Sequence, residues 1–215
     1  MIPLYEVDLS NDRLLSDRSI RCFYCLERDI PENLRLIDLK YALDHESRRF
    51  SFFEAFSGIF LLPKEPSLAR MRGWFVSRSA LIGALRQSVY AKGSDASVSI
   101  AHTAGIGIVG IISDRAKIGV DVERADRVIQ QKVVRRIANE ADVKLPSGLD
   151  IWLIKEAVFK GSNLGGASLA DVAVIAKLSR DSYLCQIEDS SYHVGLFFTA
   201  DNFRISVCTQ LTNSF

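Results

Sequence analysis

Between Ser97 and Glu123 the chain reads SVSIAHTAGIGIVGIISDRAKIGVDVE, three strand-like runs in succession with small turns at 103–105 and 113–117. The third run constrains the fold most. Ile118, Val120 and Val122 read as one buried face, which turns Asp121 and Glu123 together onto the other. Residues i and i+2 of a strand point the same way, so two carboxylates sit roughly 6–7 Å apart at Cα. Like charges that close repel, and each raises the other's pKa. A fold that keeps this strand must offset them, and a divalent cation is the commonest device. The plainer alternative is a strand end whose acids reach solvent.

Periodicity orders the rest of the chain. Residues 2–8 alternate loosely and predict a first strand. Residues 33–56 are helical in pattern, and two prolines within 61–68 break that pattern. Residues 69–90 predict a long helix with Trp74, Phe75, Leu81, Ile82, Leu85 and Val89 as its apolar positions. Residues 127–143 predict an amphipathic helix, ended by Leu145–Gly148, and Asp150 is the expected N-cap of the next. Four strand-like runs follow Val172 as a meander. The order predicts an α+β protein of two similar halves, joined near residues 113–118.

Composition excludes some functions. With 215 residues, 48% of them hydrophobic, the chain can bury a sizeable core. A net charge of +1 gives no overall field for nucleic acid or an anionic membrane surface. The longest apolar runs, such as Gly105–Ile112, fall short of a bilayer span, and the first residues lack a secretory pattern, so a cytoplasmic protein is expected. Cys22 and Cys25 form a CxxC pair, but Cys185 and Cys208 are not spaced to complete a zinc site. Reduced, partly buried thiols are expected.

The second charged anomaly is Trp152–Lys160, WLIKEAVFK. On a helix, Trp152, Lys155, Glu156 and Phe159 share one broad face, and Lys160 lies one turn beyond Glu156. A charged pair on an aromatic face is unusual unless it lines a pocket. The alternative is a surface Glu156–Lys160 pair worth about 0.3–0.5 kcal/mol. Taken with the strand, Asp121, Glu123 and Glu156 make three hard oxygen ligands, which suit Mg²⁺ completed by substrate phosphates. Lys155 and Lys160 then stand ready for those phosphates.

Gly119–Glu123 followed by Trp152–Lys160 resembles the two-part signature of the 4′-phosphopantetheinyl transferase superfamily. Ser97–Gly105 with His102 is similar to its upstream strand motif, and Phe75–Arg86 to its N-terminal helix with Arg78 in place. The resemblance spans about residues 69–200. The length is similar to that of the larger, monomeric type, which activates peptide and polyketide synthetases. The implied fold is two α/β halves fused as a pseudo-dimer, here 1–114 and 115–215, with the active site in the cleft between them.

The implied reaction moves the phosphopantetheine arm of coenzyme A to a serine of an acyl or peptidyl carrier protein and releases adenosine 3′,5′-bisphosphate. The resemblance implies Asp121, Glu123 and Glu156 as metal ligands, and Lys155 and Lys160 on the phosphates. It implies His102, with Thr103 beside it, on a coenzyme A phosphate, and Arg78 on the 3′-phosphate. Arg48 and Arg49 are weaker candidates; His45 and His193 match no motif. The base stays open among Glu156, Glu123 and Lys160. The chain departs from the pattern in lacking a Gly-Lys-Pro stretch near Lys92 and Gly93, and in having Ala101 where serine is usual. A non-catalytic relative that binds coenzyme A or a carrier as a scaffold is the alternative, marked by a broken ligand set; all three acids are present. A diphosphate hydrolase using the same acids is a third reading.

Overall fold

β4 (Ile106–Ile112) is buried at every position, the pattern of a strand covered on both faces. It pairs antiparallel with β2 (Ile20–Leu26) on one side and β3 (Ser97–Thr103) on the other. The computed structural model that shows this describes residues 3–16, 20–30, 68–87, 96–113, 116–143 and 147–211. The expected helix over 33–56, and with it His45, Arg48 and Arg49, lies outside the described residues, as do Lys92 and Gly93. The expected first strand shortens to β1 (Tyr5–Glu6), which pairs with β2, and the first sheet runs β1-β2-β4-β3. A one-turn helix α1 (Arg13–Ser16) lies between β1 and β2.

Alternation splits β4 between two cores. Val109 and Ile111 face α2 (Leu68–Gln87), where Trp74, Leu81, Ile82 and Leu85 join Phe23, Cys25 and Val98. Ile106, Ile108 and Ile112 face the other way, onto Val120, Val122, Ile205 and Val207 of a second sheet. The same alternation separates the CxxC pair: Cys22 lies in one core and Cys25 in the other. Both are free thiols, and burial pushes Cys25 up to about 12. They are packing residues, as expected.

The chain passes to the second sheet between Ile112 and Ile118. There β5 (Ile118–Arg124) pairs with β9 (Phe203–Gln210), and β6 (Ala173–Lys177), β7 (Ser182–Ile187) and β8 (Ser190–Phe198) complete the order β5-β9-β8-β7-β6. The expected meander is present and antiparallel throughout. The helix expected over 127–143 condenses to α3 (Gln131–Ile137). α4 (Gly148–Ser162) covers the outer face of this sheet with Leu149, Leu153, Ile154, Ala157 and Val158. Its N-cap is Ser147, whose hydroxyl accepts from the Asp150 backbone N–H, so the expected cap at Asp150 falls three residues late. Asp150 is instead held by Arg204 of β9.

The result is an α+β protein of two antiparallel sheets packed face to face, with α2 outside one and α4 outside the other. Among the described residues no helix is long and apolar enough to cross a membrane.

Candidate functional site

Ile118, Val120 and Val122 face the first sheet, so Gly119, Asp121 and Glu123 face α4. Gly119 is what lets α4 come close. A Cβ built there would lie 1.9 Å from the Ala157 carbonyl oxygen, so strand and helix touch through backbone. That approach puts Glu156 and Lys160, on the flank of α4, beside Asp121. Lys160 Nζ donates to Asp121 Oδ1 at 2.6 Å and stands 3.9 Å from Glu156 Oε2.

Asp121 is buried, and its second oxygen, Oδ2, is buried with no hydrogen-bond partner. Burial pushes its carboxyl above the usual range, opposed by the Lys160 ammonium. Burial likewise raises Glu156, where Lys160 opposes the shift and the Asp121 charge adds to it. The like-charge effect seen here runs across the strand–helix contact, from Asp121 to Glu156.

Glu123 is also buried and is held differently. Its Oε2 accepts from the Thr103 hydroxyl at 2.9 Å, a bond from the end of β3 to β5 across the two sheets. Its Oε1 forms an ion pair with Arg127, whose guanidinium lies 5.5 Å from the centroid of the Trp152 ring.

His102 sits next to Thr103 with its ring over the Gly73 backbone of α2. A Cβ at 73 would meet the imidazole at 2.1 Å, so the glycine makes the seat. His102 is exposed as a whole, yet partial loss of solvent around its ring lowers the imidazole pKa, and the charges of Arg78, Lys160 and Arg70 lower it further. Arg78 is half-buried on α2, 5.1 Å above the Trp74 ring, and desolvation brings it down to about 10. Cations from α2 and α4 thus act on one histidine, a setting that favours an anion.

Lys155 is the correction. The sequence places it beside Glu156 on a pocket face, but its side chain is fully buried. Its ammonium pairs with Asp142 at 2.8 Å and donates to the Val172 carbonyl. The physical reason is angular: consecutive helical residues point about 100° apart. Glu156 faces Asp121, and Lys155 turns into the core under α4. Arg127 and Arg70, which the electrostatics bring to the site, were not singled out in the sequence. The one signal for Arg127 is its position four residues after Glu123, which carries meaning only once the chain turns at 124–127.

Three carboxylates, one with an orphaned buried oxygen, are the type of donor that a hard divalent cation takes. Among the described residues, however, no three His, Cys, Asp or Glu side chains stand close enough to hold an ion as a group. The chain's own Lys160 and Arg127 pair with Asp121 and Glu123 instead. Compared with protein-family models the chain matches none, and no curated protein matches it.

Proposed function

We propose that this chain is a Mg²⁺-dependent 4′-phosphopantetheinyl transferase of the larger type, with its site in a cleft between two halves, 1–114 and 115–215. Coenzyme A is the donor and a carrier-protein serine the acceptor. The observation that carries the reading is the meeting of opposite chemistries from both sheets. Asp121, Glu123, Glu156 and Lys160 come from the second sheet and α4, and Thr103 and His102 from the first, linked by the Thr103–Glu123 hydrogen bond. The resemblance of Gly119–Glu123 and Trp152–Lys160 to the family signature supports it.

In this reading Asp121, Glu123 and Glu156 would hold the metal, which would supply charge stabilisation for the diphosphate. Arg78 and His102 bind the phosphates of coenzyme A on the α2 side. Lys160 approaches from α4 and stabilises the charge that builds on the bridging oxygen. The serine Oγ forms a new bond to the phosphorus that carries the pantetheine arm, and the bond from that phosphorus to the bridging oxygen breaks. The bridging oxygen leaves with adenosine 3′,5′-bisphosphate. The serine proton goes to Glu156, whose side chain is 21% exposed against 8% and 9% for Asp121 and Glu123, so it is the acid an incoming hydroxyl reaches. Lys155 has no part.

The direct test incubates the chain with coenzyme A, Mg²⁺ and fatty-acid, polyketide and peptide carrier proteins, and weighs each carrier by mass spectrometry. Gain of one phosphopantetheine mass on at least one carrier is the expected result. No gain on any of them overturns the transferase reading. Coenzyme A binding without transfer would then favour a scaffold, a reading to which the self-paired acids give some weight. Release of the bisphosphate nucleotide without a carrier would favour a hydrolase.

A further inference from the structure

The acid cluster holds two cations of different kinds. Lys160 rises from the last turn of α4 and serves both Asp121 and Glu156. Arg127 rises from residues 127–130, which have no regular structure, and its side chain is 43% exposed. It pairs with Glu123 directly, and its charge is also felt at Asp121 and Glu156. With three carboxylates against two cations, the cluster carries a net charge of about −1, a weak attractor for a divalent ion. Glu123 has a second partner in Thr103, so it stays oriented without Arg127. Asp121 Oδ2 is buried and aimed at no hydrogen-bond partner, a second sign that the present pairing is incomplete.

We propose that Arg127 is an internal counter-ion: it occupies Glu123 while no divalent ion is bound and has to release that carboxylate for an ion to bind. The proposal rests on the metal reading above. Its consequence is that Arg127 sets metal affinity. A unit positive charge within several ångströms of a divalent site weakens binding by about tenfold or more in a partly buried setting. The exposed side chain and its origin outside any helix or strand make departure feasible, and the Trp152 face marks where its guanidinium rests at present.

The test is Mn²⁺ binding to the whole chain, read from the free-ion signal in electron paramagnetic resonance, for wild type, Arg127→Gln, Arg127→Lys and Asp121→Ala. Arg127→Gln is expected to bind Mn²⁺ about tenfold more tightly than wild type. Arg127→Lys, which keeps the charge, is expected to lie nearer wild type, and Asp121→Ala to lose binding. Equal or weaker affinity in Arg127→Gln overturns the role of Arg127 and leaves the metal site standing. Absence of binding in both wild type and Arg127→Gln overturns the metal reading and this proposal with it. A second measurement uses Trp152 as reporter in a Trp74→Phe background. Mg²⁺ is expected to change its emission, and to leave it unchanged once Arg127→Gln is added. A constant emission in the Trp74→Phe chain at Mg²⁺ concentrations that displace bound Mn²⁺ overturns the displacement.

Discussion

At the scale of single residues, Lys155 and Lys160 show how burial divides chemically identical groups. Lys160 stays at the edge of the acid cluster, 31% exposed, and can exchange partners. Lys155 is sealed beneath α4, where Asp142 and the Val172 carbonyl satisfy its ammonium. Asp142 also accepts backbone N–H donors from Asn139 and Val174, so the pair ties the segment after α3 to α4 and β6. Removing one partner of a buried pair leaves the other desolvated, at a cost of about 3–5 kcal/mol. Lys155→Met is therefore expected to lower the melting temperature sharply while the folded fraction keeps its turnover. Thermal unfolding and transfer assays below the transition check this. A large loss of turnover with an unchanged melting temperature would return Lys155 to the site. The sequence shows two lysines near a glutamate on one helix. It does not show which side of the helix the sheet will cover, and that decides the outcome.

At the scale of elements, two contacts position the site. α4 lies on β5 through Gly119 and Gly161, where a Cβ at 161 would meet the Cys208 sulfur at 2.9 Å and one at 119 the Ala157 carbonyl at 1.9 Å. The second of these is backbone, which cannot step aside as a side chain can. Gly119→Ala should cost about 3 kcal/mol or more, at the upper end for overpacking. It should also lift Glu156 and Lys160 from Asp121, so turnover falls even where the chain is folded; unchanged turnover and stability would mean that α4 adjusts freely. The other contact fastens the segment before β2 to the meander. His193 of β8 is buried with Nε2 within 2.8 Å of both Asp12 oxygens and 3.2 Å from the Ser182 hydroxyl, while Nδ1 is buried without a partner. Histidine, serine and aspartate here converge on one ring nitrogen, so the trio is a fastening and not a relay. Burial opposes the charge on Asp12, but the His193 hydrogen bond and charge, with hydrogen bonds from the Leu15 backbone N–H and Ser182, more than offset it and hold its pKa below the usual range. A depressed carboxyl stabilises the fold above its unfolded pKa, and that contribution is lost as pH falls through the folded value. Asp12→Asn is thus expected to destabilise by about 1–3 kcal/mol at pH 7, with the difference from wild type shrinking as the pH drops below about 4. Chemical denaturation at a series of pH values measures it, and a deficit that stays constant down to pH 3 would contradict the assignment.

At the scale of the whole molecule, the legible and the illegible parts have different physical origins. β3, β4, β5 and the four strands of the meander follow from short apolar runs between turn residues, and α2 and α4 from helical spacing, because those signals are local. Asp121, Glu123 and Glu156 stood out because their charges sit in apolar patterns. Nothing local says that β5 leaves its neighbours β3 and β4 to pair with β9, nor that Arg127 folds back onto Glu123 or that Asp12 reaches His193. Those are consequences of packing between distant segments. That packing has its own consequence for unfolding. Leu15, Cys22, Ile106 and Ile108 of the first half share one core with Val120, Val122, Ile205 and Val207 of the second, so neither sheet keeps a covered inner face if the other unfolds. Exposing such a face costs about 25 cal/mol for each Å² of apolar surface, which makes separate unfolding unfavourable. The two tryptophans report on different sheets, Trp74 on α2 against the first and Trp152 on α4 against the second. Single-tryptophan chains, Trp74→Phe and Trp152→Phe, are expected to give one urea transition each by fluorescence, coincident with that chain's own far-ultraviolet circular dichroism transition. A chain whose tryptophan signal changes at a distinctly different urea concentration from its circular dichroism would show that the shared core does not couple the two sheets, and the Thr103–Glu123 bond would then join two independently folding units.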